Sequence, residues 1–365
     1  MQAQELERLA RVVVAHVRMV EEYCNRFYPE TRPEPESRAD LEHKDQELLT
    51  DEWSAAPISL AYGTAAAHLA SADDHLFGLP RLLYPPPAPH VVMTVARSVV
   101  ETCARAVWLL DFAIDARTRV ARVMTERLYG LHQQLMTHAR LTGEAGDFTE
   151  EMEAIRRSAV NHSMPWIADS RHRPPAVGAH RPSATEAIRT MMQHVGQNTG
   201  VAAYADPSAV AHNTVASFLR PVALLELLDQ PPRHPMPIPY SHGTVLALSS
   251  YGRAWELFMR MHGWNTRMWN DFLREAHAEL RSILGIGGGP QRCCPGPRLT
   301  ALCALYEEVI CCSRVRRHGH LWVMSHLRAV SGSAPQCQER QLIRVLAFAP
   351  PVAVPVCSCR CQQVS

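Results

Sequence analysis

Residues 91–111, VVMTVARSVVETCARAVWLLD, restrict what this chain can fold into more than any other stretch. On a helical wheel Thr94, Arg97, Ser98, Glu101, Thr102 and Arg105 share one arc of roughly 140°. The remaining roughly 220° is almost wholly Val, Ala, Leu, Met and Cys, whereas a surface helix commonly shows an apolar stripe of little over 100°. A helix with so wide an apolar face must be covered on most sides. The pattern predicts the central helix of a bundle, near residues 90–111. Arg97, Glu101 and Arg105 also interrupt the longest apolar run, which argues against a membrane span.

Other stretches agree with an all-α, helical-bundle fold. Leu6, Leu9, Val13, Val17 and Val20 recur at helical spacing, predicting a first helix over residues 1–29. Residues 30–54 are acidic and marked by prolines, and read as a linker with one short helical piece. Helices follow over about 58–79 and from Asp115, a suitable N-cap, to near Gly143. Asp147 with Glu150 and Ser183 with Glu186 have capping-box spacing. Between those two boxes, residues 166–180 read as a loop rich in Pro and Arg. Asp206–Pro207 opens a helix bent at Pro221, and two more run over about 243–262 and 265–284. The bundle domain is therefore expected over residues 55–286.

The last quarter differs in kind. Nine of the 11 cysteines fall after residue 290, and nine arginines there meet only Glu307, Glu308 and Glu339. The cysteines are adjacent or alternating, and no C-x-x-C spacing occurs, unlike a zinc module. Residues 287–365 read as an irregular or disordered, Cys- and Arg-rich tail, consistent with frameshifted sequence. Lys44 is the only lysine among 37 basic residues, a bias we assign to a GC-rich genome. The first 289 residues are net acidic, a poor footprint for a dedicated nucleic-acid binder. The N-terminus is acidic and already amphipathic, unlike a signal peptide, so a soluble cytoplasmic protein is expected.

Three constellations carry possible chemistry. Arg97, Glu101 and Arg105 place one carboxylate between two guanidiniums on successive turns. Exposed, such i,i+4 pairs only support the helix; facing a polar pocket, an arginine left unmatched becomes an anion site. Tyr204, Ser208 and His212 are spaced four apart, and a Ser–His neighbour pair can supply a nucleophile and a base. No third member or oxyanion motif accompanies them, so a core histidine bonded to serine explains them equally. His68, Asp73, Asp74 and His75 share one helix but lack the Glu-x-x-His spacing of bundle metal sites, so no metal ligand set is assigned.

The ADDHL helix, the ARSVVETCARAVWLLD helix, the helix after DARTRVARV and the later Y-x-x-x-S-x-x-x-H segment together resemble a group of actinobacterial all-helical proteins of unassigned function. More distantly, over residues 55–285, they resemble HEPN-like bundles. Nuclease members of that superfamily cleave RNA with an Arg and a His four to six residues apart. The resemblance therefore implies a metal-independent ribonuclease, with His194 or His212 as acid–base and Arg189 stabilising the transition state. Arg127 and His132 share the spacing, which a chain this rich in both residue types produces by chance. Asn213 stands where that family has a small residue.

The expected function is binding of a protein partner, self-association or binding of a small anionic ligand, the ligand at Arg97, Glu101, Arg105 and Tyr204. The ribonuclease is the alternative, with RNA as partner in that case alone. A metal-dependent hydrolase using His68 and Asp73 is the weaker one. No cofactor and no membrane partner are expected.

Overall fold

The computed structural model describes residues 3–27, 33–83, 89–142, 148–170, 173–194, 208 and 239–284. These form an all-α bundle of α1 (Ala3–Phe27), α2 (Arg38–Lys44), a 3-10 turn (Gln46–Leu49), α3 (Pro57–Leu83), α4 (Pro89–Leu109), α5 (Ala116–Thr142), α6 (Phe148–Asn161), α7 (Ala184–His194), α8 (Pro239–Met261) and α9 (Arg267–Ile283). No described helix is long and apolar enough to cross a membrane.

The apolar periodicity of α4 decides its place. Val92, Ala96, Val99, Val100, Cys103, Ala104, Ala106 and Val107 are all buried, under α3, α5, α7 and α8. Thr94 is exposed, and Arg97, Ser98, Glu101 and Thr102 are partly so. Arg105 breaks the pattern. It lies on the polar arc yet keeps only 9% of its surface exposed. The rest of the core follows from the same rule, with Tyr23, Tyr62, Tyr251, Phe258, Phe272, Trp255 and Trp269 fully buried. Each such aromatic contributes about 2–3 kcal/mol by leaving water. The Tyr23 polar end is satisfied across the bundle: its hydroxyl donates to Asn265 O (2.9 Å) and accepts from Trp269 N (2.8 Å). Gly252 lets α9 approach α8, because a Cβ there would lie 2.9 Å from Leu273 Cδ2.

Helix ends are set by local chemistry. Asp115 Oδ1 accepts from Thr118 N (2.7 Å) to start α5. Ser183 and Glu186 bond reciprocally at the start of α7, Glu186 N to Ser183 Oγ (3.2 Å) and Ser183 N to Glu186 Oε2 (2.7 Å).

Two stretches differ from the reading of the sequence. Within 30–54, Ala39, Glu42, Leu49 and Trp53 are buried, so this stretch packs into the body of the bundle. Glu42 is the reason. It receives Arg119 through Nε (2.7 Å) and Nη2 (3.1 Å), Arg38 through Nε (2.7 Å) and the Tyr62 hydroxyl (2.9 Å). Arg119 also donates to Leu109 O and Asp111 O, the carbonyls at the end of α4, where a cation complements the helix dipole. The second stretch is 166–180, which contains an antiparallel ladder, β1 (Trp166–Ile167) with β2 (Ala176–Val177), Trp166 opposite Val177. The ladder was invisible as alternation because each strand is only two residues long.

The expected bent helix over 206–231 lies outside the described residues except for Ser208, which is helical and half-buried. The tail from residue 285, with its nine cysteines, lies outside them too.

Candidate functional site

A cleft of about 720 Å³ opens where the polar arc of α4 meets α3, α5 and the segment running from the ladder into α7. α3 contributes His68, α4 contributes Glu101, Thr102 and Arg105, and α5 contributes Thr125 and Tyr129. The outer wall is 173–186, bringing Arg173, His180 and Arg181. Thr125 holds that wall in place: its hydroxyl donates to Val177 O (3.0 Å) and accepts from Val177 N (2.9 Å), fastening β2 to α5. Gly178 then turns the chain with φ +73°, a conformation that favours glycine, and its N–H reaches Pro165 O (2.7 Å).

The charges in the cleft are unevenly matched. Arg97 Nε donates to Glu101 Oε1 at 2.6 Å, so the carboxylate between the two arginines of α4 pairs with the outer one. Arg181 binds Glu126 with both ends of its fork (2.6 and 2.8 Å) while lying 3.9 Å over the Tyr129 ring. Arg105 has no carboxylate partner among the described residues. Its one hydrogen bond runs from Nη1 to Pro182 O (2.7 Å). None of its remaining guanidinium nitrogens is both sealed from water and unpartnered, so they retain access to the cleft they line. Burial, and after it the neighbouring Arg181, lower the Arg105 pKa. An arginine nonetheless keeps its proton in a protein, so the cleft holds a buried positive charge with no carboxylate within bonding distance among the described residues, Glu126 and Glu101 acting on it from farther off.

His68 sits beside this charge. Its Nε2 is 3.8 Å from Glu126 Oε1, sealed from water and without a hydrogen-bond partner. Desolvation lowers the His68 pKa; Glu126 opposes that shift, and Arg181 and Arg105 reinforce it. The ring is therefore neutral near pH 7.

The other expected site residues scatter. Arg189 is exposed on α7 and does not line the cleft. The side chain of His194, Tyr204 and His212 fall outside the described residues, and Ser208 is described without its neighbours. Arg127 is committed elsewhere, to Glu151 (2.5 Å) and Trp53 O (2.9 Å). His68 and Asp73 do not converge: Asp73 accepts a hydrogen bond from Tyr251 on α8, while His68 faces Glu126 on α5. No group of three His, Cys, Asp or Glu side chains suited to a metal ion occurs among the described residues. The sequence reading missed Arg173, His180 and Arg181. Their signal was compositional: RHRPPAVGAHRP, residues 171–182, gathers cations around prolines in an otherwise net-acidic region.

Comparison with known protein families, with curated proteins and with solved structures finds no match to this chain.

Proposed function

We propose that the protein binds a small anionic ligand in the cleft between α3, α4, α5 and residues 173–186, with Arg105 as the principal anchor. The observation carrying this reading is the Arg105 guanidinium, buried on the polar arc of the central helix and matched by one carbonyl. Taking a charge out of water costs several kcal/mol unless it is paired, and a carboxylate or phosphate presented to the remaining donors supplies that pairing. Arg173, exposed at the mouth, adds a second positive charge that draws anions inward. The cleft volume suits a metabolite-sized molecule.

Binding to the native state raises the unfolding temperature with ligand concentration. Citrate and inorganic pyrophosphate are therefore expected to raise the melting temperature of the wild-type protein saturably at constant ionic strength. Neutral glycerol at matched osmolality should not do so saturably. Arg105→Gln is expected to abolish the saturable component. Equal responses in the wild type and the variant would refute the site.

The ribonuclease alternative requires an Arg and a His facing one cleft, and Arg189 stands outside this one. Metal-independent RNA cleavage that is lost in His194→Ala or His212→Ala would favour it over simple binding. Among the described residues the large exposed apolar side chains, Leu41, Leu48, Val91, Phe112, Met136, Leu141 and Val160, are spread over several elements, and the ligand reading draws more support than docking of a protein partner.

A further inference from the structure

Resting on that reading of the cleft, we infer that the ligand is an anion that also carries a hydroxyl, and that the hydroxyl donates a hydrogen bond to Nδ1 of His68. Two observations converge on this class. The first is the orientation of His68. Its Nε2 faces the Glu126 carboxylate, 3.8 Å away, in a position closed to water. A neutral imidazole has one N–H and one lone pair, and the carboxylate favours the N–H on the nitrogen nearest to it. Nδ1 is then the acceptor. The side chain keeps 22% of its surface exposed, and the ring lines the cleft, so the open part of the imidazole faces the ligand space.

The second observation is the rest of the wall. The cations around the ligand space are Arg105 and Arg173, with Arg181 already given to Glu126, and the Tyr129 hydroxyl and the His180 ring can each donate or accept. The hydroxyls of Thr102 and Thr125 already bond to backbone atoms, Thr102 to Ser98 O (2.8 Å) and Thr125 to Val177. Glu101 is held by Arg97, and Glu186 by its own cap at Ser183. A plain carboxylate or phosphate satisfies the arginines and offers His68 nothing. A molecule with a hydroxyl near its anionic group satisfies both, and His68 then discriminates it from its deoxy counterpart. A site built to hydrogen-bond a substrate hydroxyl rejects analogues lacking it, because its own polar group is otherwise left unpaired.

Citrate and tricarballylate differ only by that hydroxyl and serve as the probes, with inorganic pyrophosphate as an anion lacking a carbon-borne hydroxyl. Isothermal titration of the full chain at pH 7.5 is expected to give citrate binding at least tenfold tighter than tricarballylate. His68→Phe should reduce the ratio of the two affinities to near one. In the wild-type protein, saturating citrate should shift the 15N resonance of His68 Nδ1, and tricarballylate should not, a readout independent of whether the variant folds. Equal affinities for citrate and tricarballylate, or binding of pyrophosphate alone, would overturn the hydroxyl inference and leave the anion site standing. Failure of all three anions to bind would overturn both.

Discussion

Arg119 and Arg105 are two buried arginines on adjacent helices, and their surroundings could hardly differ more. Arg119 has no exposed surface and uses its fork on Glu42 and two carbonyls at the end of α4. Arg105, about one turn before the end of α4, makes one bond to Pro182 O and faces a cleft. The first holds three segments together: the stretch before α3, the end of α4 and the start of α5. The second contributes little to that frame and leaves donors aimed at open space. A buried charge with all its partners in the chain is a structural element; one matched by a single carbonyl is where the proposed reading puts a ligand.

The largest expected effect tests the structural half. Arg119→Met leaves Glu42 buried with its main partner gone, and should destabilise the fold by about 3–5 kcal/mol in denaturant titration. The double variant Arg119→Met/Glu42→Leu removes the stranded carboxylate and should recover much of that loss. A loss below about 1 kcal/mol in the single variant would place Arg119 with Arg105 rather than opposite it.

His16 lies between the two cases, with Nδ1 against Val12 O (2.8 Å) and a buried, unpartnered Nε2. Burial pushes its pKa down to about 4. Between that value and the unfolded value near 6.5 the unfolded chain holds the extra proton, so stability falls as pH drops through this window. The full difference is about 3 kcal/mol. His16→Leu should flatten that limb in unfolding measured from pH 7 to pH 4.

Asp73 shows the opposite sign. Burial raises its carboxyl to about 8, with Tyr251 donating to it. The folded state then holds the extra proton from about pH 3.8 to 8, and stability falls as pH rises through that range. Asp73→Asn, which has no proton to lose, should be the more stable form at pH 9 and lose that advantage by pH 4. Below pH 6.5 the slopes from His16 and Asp73 oppose each other in the wild-type protein, so each shows clearly only when the other is substituted. The smallest expected effect belongs to Arg105. Arg105→Gln should change stability by about 1 kcal/mol or less, because relief of burial and of Arg181 repulsion offsets the lost bond to Pro182.

The same contrast explains what the sequence could disclose. α4 was legible because its apolar residues repeat over six turns, and α5 and α7 because Asp115, Ser183 and Glu186 act within three residues of themselves. The ladder Arg97, Glu101, Arg105 also carried its own arithmetic, since one carboxylate cannot match two guanidiniums at once. Which arginine pairs was not legible; it depends on the wall at 173–186, whose placement comes from Thr125 bonding to Val177, 52 positions away. Glu42 was read as part of a linker for a similar reason: its partner Arg119 is 77 positions distant. Local chemistry is written in spacing, whereas pairing across the bundle is decided only once the helices meet.

The difference between the two arginines is open to direct observation by NMR, following the Nε–H resonances of Arg105 and Arg119 during titration with pyrophosphate at fixed ionic strength, with Arg105→Gln fixing the assignment. The Arg105 resonance should move and saturate while that of Arg119 stays in place. Stationary resonances for both, or parallel drifts that never saturate, would contradict the proposal that Arg105 anchors an anion while Arg119 is committed within the chain.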